Sequence, residues 1–242
     1  MSEYATHFFY ILRKNLNISN INGALNDFSH SSGELCGLKL FEHRDFKKKA
    51  DFTHLPRKRI EDINDYLGKI AVDGELNDKF RLSLTFAFEE NNSLDIGFDI
   101  AGRLVVFSIN YSFFNPDYFQ ETNERVKAVL CFCKLFYKHF LPVYGYGITG
   151  IDDWGSPEKM LKIDQMELDT LYCYNFLGPE LTAFYGLDIL KNIPAWQVQE
   201  MSDGGVFLAI EENPMMPEKF RRNYLESIEL LSNTFAKSDV KK

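Results

Sequence analysis

Between Phe80 and Tyr111 the chain alternates. Phe80, Leu82, Leu84, Phe86 and Phe88 are separated by Arg81, Ser83, Thr85 and Ala87. Leu94, Ile96, Phe98 and Ile100 are separated by Asp95, Gly97 and Asp99, and a third run goes from Leu104 to Tyr111 after the turn at Ala101-Gly102. A period of two sends every second side chain to one face. Three such runs joined by short turns predict an antiparallel meander with one buried face. That buried face needs a covering layer.

The helical patterns supply it. Asn115-Pro116 reads as an N-cap residue followed by proline at the first helical position. Behind it Val126, Val129, Leu130, Cys133, Phe136, Tyr137 and Phe140 recur at the 3.6 period until Pro142. Pro217 opens a second such stripe through Phe220, Tyr224, Ile228, Leu231 and Phe235, and the charged tail from Lys237 reads as frayed. Shorter helices are expected from Pro56 to Ile70 and from Ser156-Pro157 to Ile163. Strands are expected at Phe8 to Leu12, Leu35 to Phe41 and Val143 to Ile148. The Asn- and Ser-rich stretch from Asn15 to Ser32 reads as loop. The fold class is α+β: antiparallel sheet with two long amphipathic helices packed on one side. A single domain spans 1–242, with halves 1–142 and 143–242 if the two hairpin-plus-helix units form a pseudo-repeat.

Composition narrows the function. The 242 residues, 45% hydrophobic and with 22 Phe, are enough for a core without disulfides or metal. No apolar run approaches the length of a membrane span, and no secretory signal is visible. Cys36, Cys131, Cys133 and Cys173 show no paired CxxC spacing, which fits a reducing, cytoplasmic setting. The net charge of −8 argues against general nucleic-acid binding and suits a basic protein partner. Against that balance, seven Lys/Arg and three acids between 42 and 59 leave a local excess of +4, read as a solvated loop and helix start.

Candidate chemistry is sparse. Gly145 to Gly150 spells G-x-G-x-x-G, but a dinucleotide site needs the motif to open a helix, and none can start before Ser156. A strand edge with close backbone approach is favoured. Cys131 and Cys133 are two apart on a helix and face different ways. His7, His30, His43, His54 and His139 include no i, i+4 pair of the helical zinc type. Asp152-Asp153-Trp154 places two carboxylates and an indole on a loop. A solvated turn is favoured over an acid/base or metal pair, and a partner contact stays open.

The stretch from Tyr174 to Pro214 carries a resemblance. It contains Phe176-Leu177-Gly178-Pro179-Glu180-Leu181, then Ile193-Pro194-Ala195-Trp196, then Asp203-Gly204-Gly205-Val206-Phe207-Leu208, and ends in Asn213-Pro214. It resembles a family of bacterial immunity proteins found beside polymorphic toxins and type VI secretion effectors. The resemblance implies a short helix opened by Pro179 and a strand pair around Trp196 to Met201 and Val206 to Ile210. It also implies a protein that binds and neutralises a cognate toxin without catalysis, cofactor or metal. Gly178, Pro179, Trp196, Asp203, Gly204 and Gly205 read as structural. Loop placement and charge make Asp152, Asp153, Trp154, Glu211 and Glu212 the candidate toxin contacts. Nucleic acid and membrane are not expected partners, and a homodimer stays open. Two other readings remain: a small-molecule-binding or hydrolytic enzyme with a pocket gathering Asp152, Asp153, Glu200 or a histidine, and a scaffold that oligomerises through aromatic surface.

Overall fold

The computed structural model describes residues 5–31, 39–46, 58–59, 80–88, 92–99, 103–110, 113–114, 122–149, 157–168, 170–214 and 229. Ten strands form one antiparallel sheet. They are β1 (Ala5–Ile11), β2 (Lys39–Phe46), β3 (Lys58–Arg59), β4 (Phe80–Phe88), β5 (Asn92–Asp99), β6 (Leu104–Asn110), β7 (Tyr144–Thr149), β8 (Tyr174–Leu177), β9 (Gln197–Glu200) and β10 (Val206–Ala209). Their order across the sheet is β3-β2-β4-β5-β6-β1-β7-β8-β10-β9. The helices are α1 (Ile18–Ser31), α2 (Thr122–Phe140), α3 (Pro157–Asp164), α4 (Pro179–Tyr185) and α5 (Leu187–Lys191).

The predicted meander is β4-β5-β6, paired in the expected sequence. The sheet does not stop there. The first strand of the chain, β1, lies in the middle, with β6 on one side and β7 on the other. All seven of its residues are buried. Phe8 and Tyr10 point into one cluster with Ile21 and Ala24 of α1 and Val129, Cys133 and Phe136 of α2. Phe9 and Ile11 point into the other, with Ile163 of α3, Leu181 and Tyr185 of α4 and Leu190 of α5. A strand covered on both faces carries apolar residues at both parities, which is why 8–12 shows no alternation.

The described helices therefore occupy both faces, the long α2 with α1 on one and the short α3, α4 and α5 on the other. Of the expected long pair, α2 is present and buries all seven residues of its predicted stripe. Leu141, with φ 44°, turns the chain out of it, and Pro142 follows. The segment from Asn115 to Glu121 that was expected to open it lies outside the described residues, as does the stripe from Pro217, apart from Glu229.

Two expectations are corrected. The stretch from Asn15 to Ser32 is not loop: residues 18–31 form α1. Asn17 Oδ1 accepts the N–H of Asn20 at 2.8 Å, capping the helix start. Asn20 Nδ2 then donates to the His139 carbonyl, and His139 Nε2 meets Asp27 Oδ2 at 2.8 Å. Packing on α2 overrides the weak helix propensity of this stretch. Nor does a helix begin at Pro56 through the basic segment: Lys58 and Arg59 form β3, opposite Glu42 and Phe41 of β2. The rest of that predicted helix, 60–70, lies outside the described residues.

Residues 145–149 of the G-x-G-x-x-G run lie in β7, and among the described residues the next helix starts at Pro157. Gly145 pairs with Tyr10 and Gly147 with Phe8 of β1. A Cβ on Gly145 would come 2.6 Å from the Tyr10 ring, and one on Gly147 would come 2.8 Å from the Phe8 ring. These glycines make room for the two aromatic rings at the centre of the core, in place of a cofactor.

Candidate functional site

The stretch from Tyr174 to Pro214 folds as one end of the sheet: β8, α4, α5, β9 and β10. Gly178 forms its hinge. The Gly178 N–H donates to the Val143 carbonyl at 2.9 Å, and a Cβ there would lie 2.4 Å from the Pro142 carbonyl. Pro179 stands in the first turn of α4. Gly186, at φ 89°, separates α4 from α5. Leu181, Tyr185 and Leu190 then cover Val206, Leu208 and Ile210.

The turn between β9 and β10 is fixed by Asp203. Its Oδ1 accepts the N–H of Gly205 at 2.9 Å, and its Oδ2 accepts the Tyr137 hydroxyl of α2 at 2.9 Å. Gly204 sits at φ 88°. A Cβ on Gly205 would lie 2.0 Å from the Tyr137 hydroxyl and 2.6 Å from the Leu177 carbonyl. Burial, with the Asp203 carboxylate beside it, pushes the Tyr137 hydroxyl well above its ordinary pKa. The Asp-Gly-Gly run thus shapes a turn that docks on α2.

Two lysines grip β9 from opposite faces. Lys134 of α2 donates to Gln199 Oε1 at 2.6 Å and lies 4.8 Å from the centre of the Phe207 ring. Lys191 of α5 pairs with Glu200 at 3.1 Å. Among the described residues β9 is the last strand in the order and pairs with β10 alone. Trp196, just before it, is 43% exposed, and Phe184 of α4 is 54% exposed.

Glu211 and Glu212, offered as contacts, are half-buried where the chain leaves β10. Their carbonyls accept the Cys173 thiol and the Tyr174 hydroxyl. Asn213 is buried and donates to the Phe114 carbonyl at 2.9 Å. Asp152, Asp153 and Trp154 lie outside the described residues, between β7 and α3.

One polar cluster was missed in the sequence. Lys159 of α3 is only 4% exposed. Its Nζ lies 4.4 Å from the Tyr146 ring centre and 4.3 Å from that of Tyr172, and it donates to the Tyr172 hydroxyl. Below it, Asn175 Oδ1 accepts the Tyr144 hydroxyl at 2.7 Å and the Tyr172 N–H at 2.9 Å. Nothing in the residues 157–163 sets Lys159 apart from the half-buried Lys162, so the local sequence held no signal for it.

Burial shifts three titratable groups among the described residues away from reactivity. Burial pushes the Cys133 and Cys173 thiols well above their ordinary values. His7, whose Nδ1 lies 2.7 Å from Ser108 Oγ, is lowered to about 4 by burial. Among the described residues no group of three or more His, Cys, Asp or Glu could hold a metal ion. Among them also, no helix is long and apolar enough to cross a membrane.

No protein-family model matches the chain, and no curated protein matches it. Among solved structures, the chain is similar to the Pseudomonas aeruginosa T6SS protein PA0821. The TM-score is 0.52 at 13% sequence identity, covering 94% of this chain and 72% of that one. At that identity the likeness is one of fold.

Proposed function

We propose that this chain is an immunity protein of a type VI secretion setting. It acts in the cytoplasm, binding a cognate bacterial toxin and neutralising it by occupation, without catalysis. The observation that carries the reading is the fold shared over 94% of the chain with a T6SS protein. The resemblance of the Tyr174–Pro214 stretch to toxin-system immunity proteins supports it from an independent direction. A neutraliser needs a rigid surface with shape and charge complementary to its target, and a broad sheet covered on both faces provides one.

The test is co-expression with the product of the neighbouring gene, scored by growth. Full rescue together with co-purification of the two chains supports the reading. A harmless neighbour that does not co-purify removes it.

A further inference from the structure

The ten-stranded order separates charge. β2 and β3, which carry part of the basic segment, stand at one end of the sheet, and β9 stands at the other. The stretch that builds the β9 end contains Glu180, Asp188, Glu200, Asp203, Glu211 and Glu212 against Lys191 alone. That is a net of −5 in 41 residues, more than half of the charge of the whole chain.

Among the described residues the same end carries an unpaired strand edge. The Trp196 N–H donates to the Ile210 carbonyl, and Val198 stands opposite Leu208. The Met201 N–H donates to the Gly205 carbonyl, and the Ile210 N–H donates to the Cys173 carbonyl beside β8. Bonding direction alternates along an antiparallel strand, so Gln197 and Gln199 bond β10 and the N–H and C=O of Val198 and Glu200 point away from it. Among the described residues no strand pairs with them. The register places Val198 and Glu200 opposite Leu208 and Val206, on the α4–α5 side. Trp196, opposite Ile210, continues that row. An exposed indole beside carboxylates is the composition of a binding hot spot flanked by steering charge.

We infer that β9 is the toxin-binding edge, and that its occupant is an extended basic segment of the toxin that adds a strand to the sheet. Backbone bonds to Val198 and Glu200 supply registry. Trp196 supplies the apolar anchor, and Glu200 and Asp188 select Lys or Arg over acidic segments. The inference rests on the immunity reading and names its surface. Glu211 and Glu212 then contribute field more than contact, because their segment is held against the sheet. The competing occupant is a second copy, whose basic β3 edge could meet β9 head to tail. That contact does not close and would build open chains.

The experiment measures binding of the purified chain to an inactivated variant of the neighbouring gene's product by surface resonance at low and high salt. Three substitutions address β9: Trp196→Ala, Val198→Pro (which deletes one outward N–H) and Glu200→Lys. Lys58→Glu at the far edge serves as control, and thermal melts confirm that each variant folds. The expected result is about 30-fold weaker binding for Trp196→Ala and about tenfold or more for Val198→Pro. Glu200→Lys is expected to slow association at low salt, with Lys58→Glu unchanged. If the parent binds and the three β9 variants match it within threefold, the edge assignment is wrong and the immunity reading survives. If the parent itself does not bind, both fall. Concentration-dependent oligomers of the chain alone that Val198→Pro abolishes would overturn the toxin as occupant.

Discussion

The Tyr137 hydroxyl of α2 donates to Asp203 Oδ2 in the β9–β10 turn at 2.9 Å, joining residues 66 apart in the chain. It connects the helix that covers the central strands to the hairpin at the end of the sheet. Gly205 lies directly under the hydroxyl, where a side chain would collide with it. The turn is therefore defined as much by α2 as by its own Asp-Gly-Gly sequence.

Tyr137→Phe removes that bond while keeping the ring in the core. Because Asp203 is exposed and can return to water, the expected loss is about 1 kcal/mol. Asp203→Ala removes the Tyr137 and Gly205 bonds together and should cost about 1–3 kcal/mol. Urea unfolding measures both, and equal stability in all three proteins would contradict this role.

The glycines of β7 are expected to be intolerant for packing reasons alone. Gly145→Val should cost about 1–3 kcal/mol or more, because its Cβ has no room beside the Tyr10 ring. Gly97→Ala in β5 meets, among the described residues, only the Val106 carbonyl, at 3.8 Å, and should be within about 0.5 kcal/mol of neutral. Denaturant melts of the two variants distinguish packing from a general need for glycine.

This contrast bears on what the sequence could and could not show. The meander at 80–111, the α2 stripe and the α3 start were legible because hydrophobic period and proline placement are local signals. The failures were at α1 and β3. Asn-rich residues 15–32 become helical through Asn17 and the contacts of Asn20 and Asp27 with His139, and those partners lie more than 110 residues away. Lys58 and Arg59 pair with β2, whose register no local pattern declares. The glycines and proline of the 174–214 stretch were readable as turn and helix-start residues. The edge position of β9, and with it the candidate surface, follows only from the complete strand order.

Stability should fall on mild acidification through one buried imidazole. His7 has its pKa lowered to about 4 by burial, so the unfolded chain binds a proton below about 6.5 that the folded chain refuses. Stability contributed by this group is complete above about 6.5 and declines as the pH falls towards 4, by about 2–3 kcal/mol. His7→Gln should flatten that part of a stability-versus-pH curve, and an unchanged slope would count against it.

At the alkaline end the sign is opposite. Burial raises Tyr10, Tyr137 and Tyr174, as well as Cys133 and Cys173. The unfolded chain loses these protons first, so stability is full below about pH 8.5 and falls as pH rises through the ordinary thiol and phenol range. Denaturant melts between pH 8 and 11 check the sign, which a rise in midpoint would contradict.

Neutralisation by occupation makes a quantitative demand, and titrating toxin activity with the purified chain tests it most directly. The account predicts that activity falls in a straight line to zero at a fixed stoichiometric ratio and returns when the complex is dissociated. Activity that persists in molar excess of the chain, or that is destroyed by far less than one equivalent, would contradict it, the latter pointing to an enzyme.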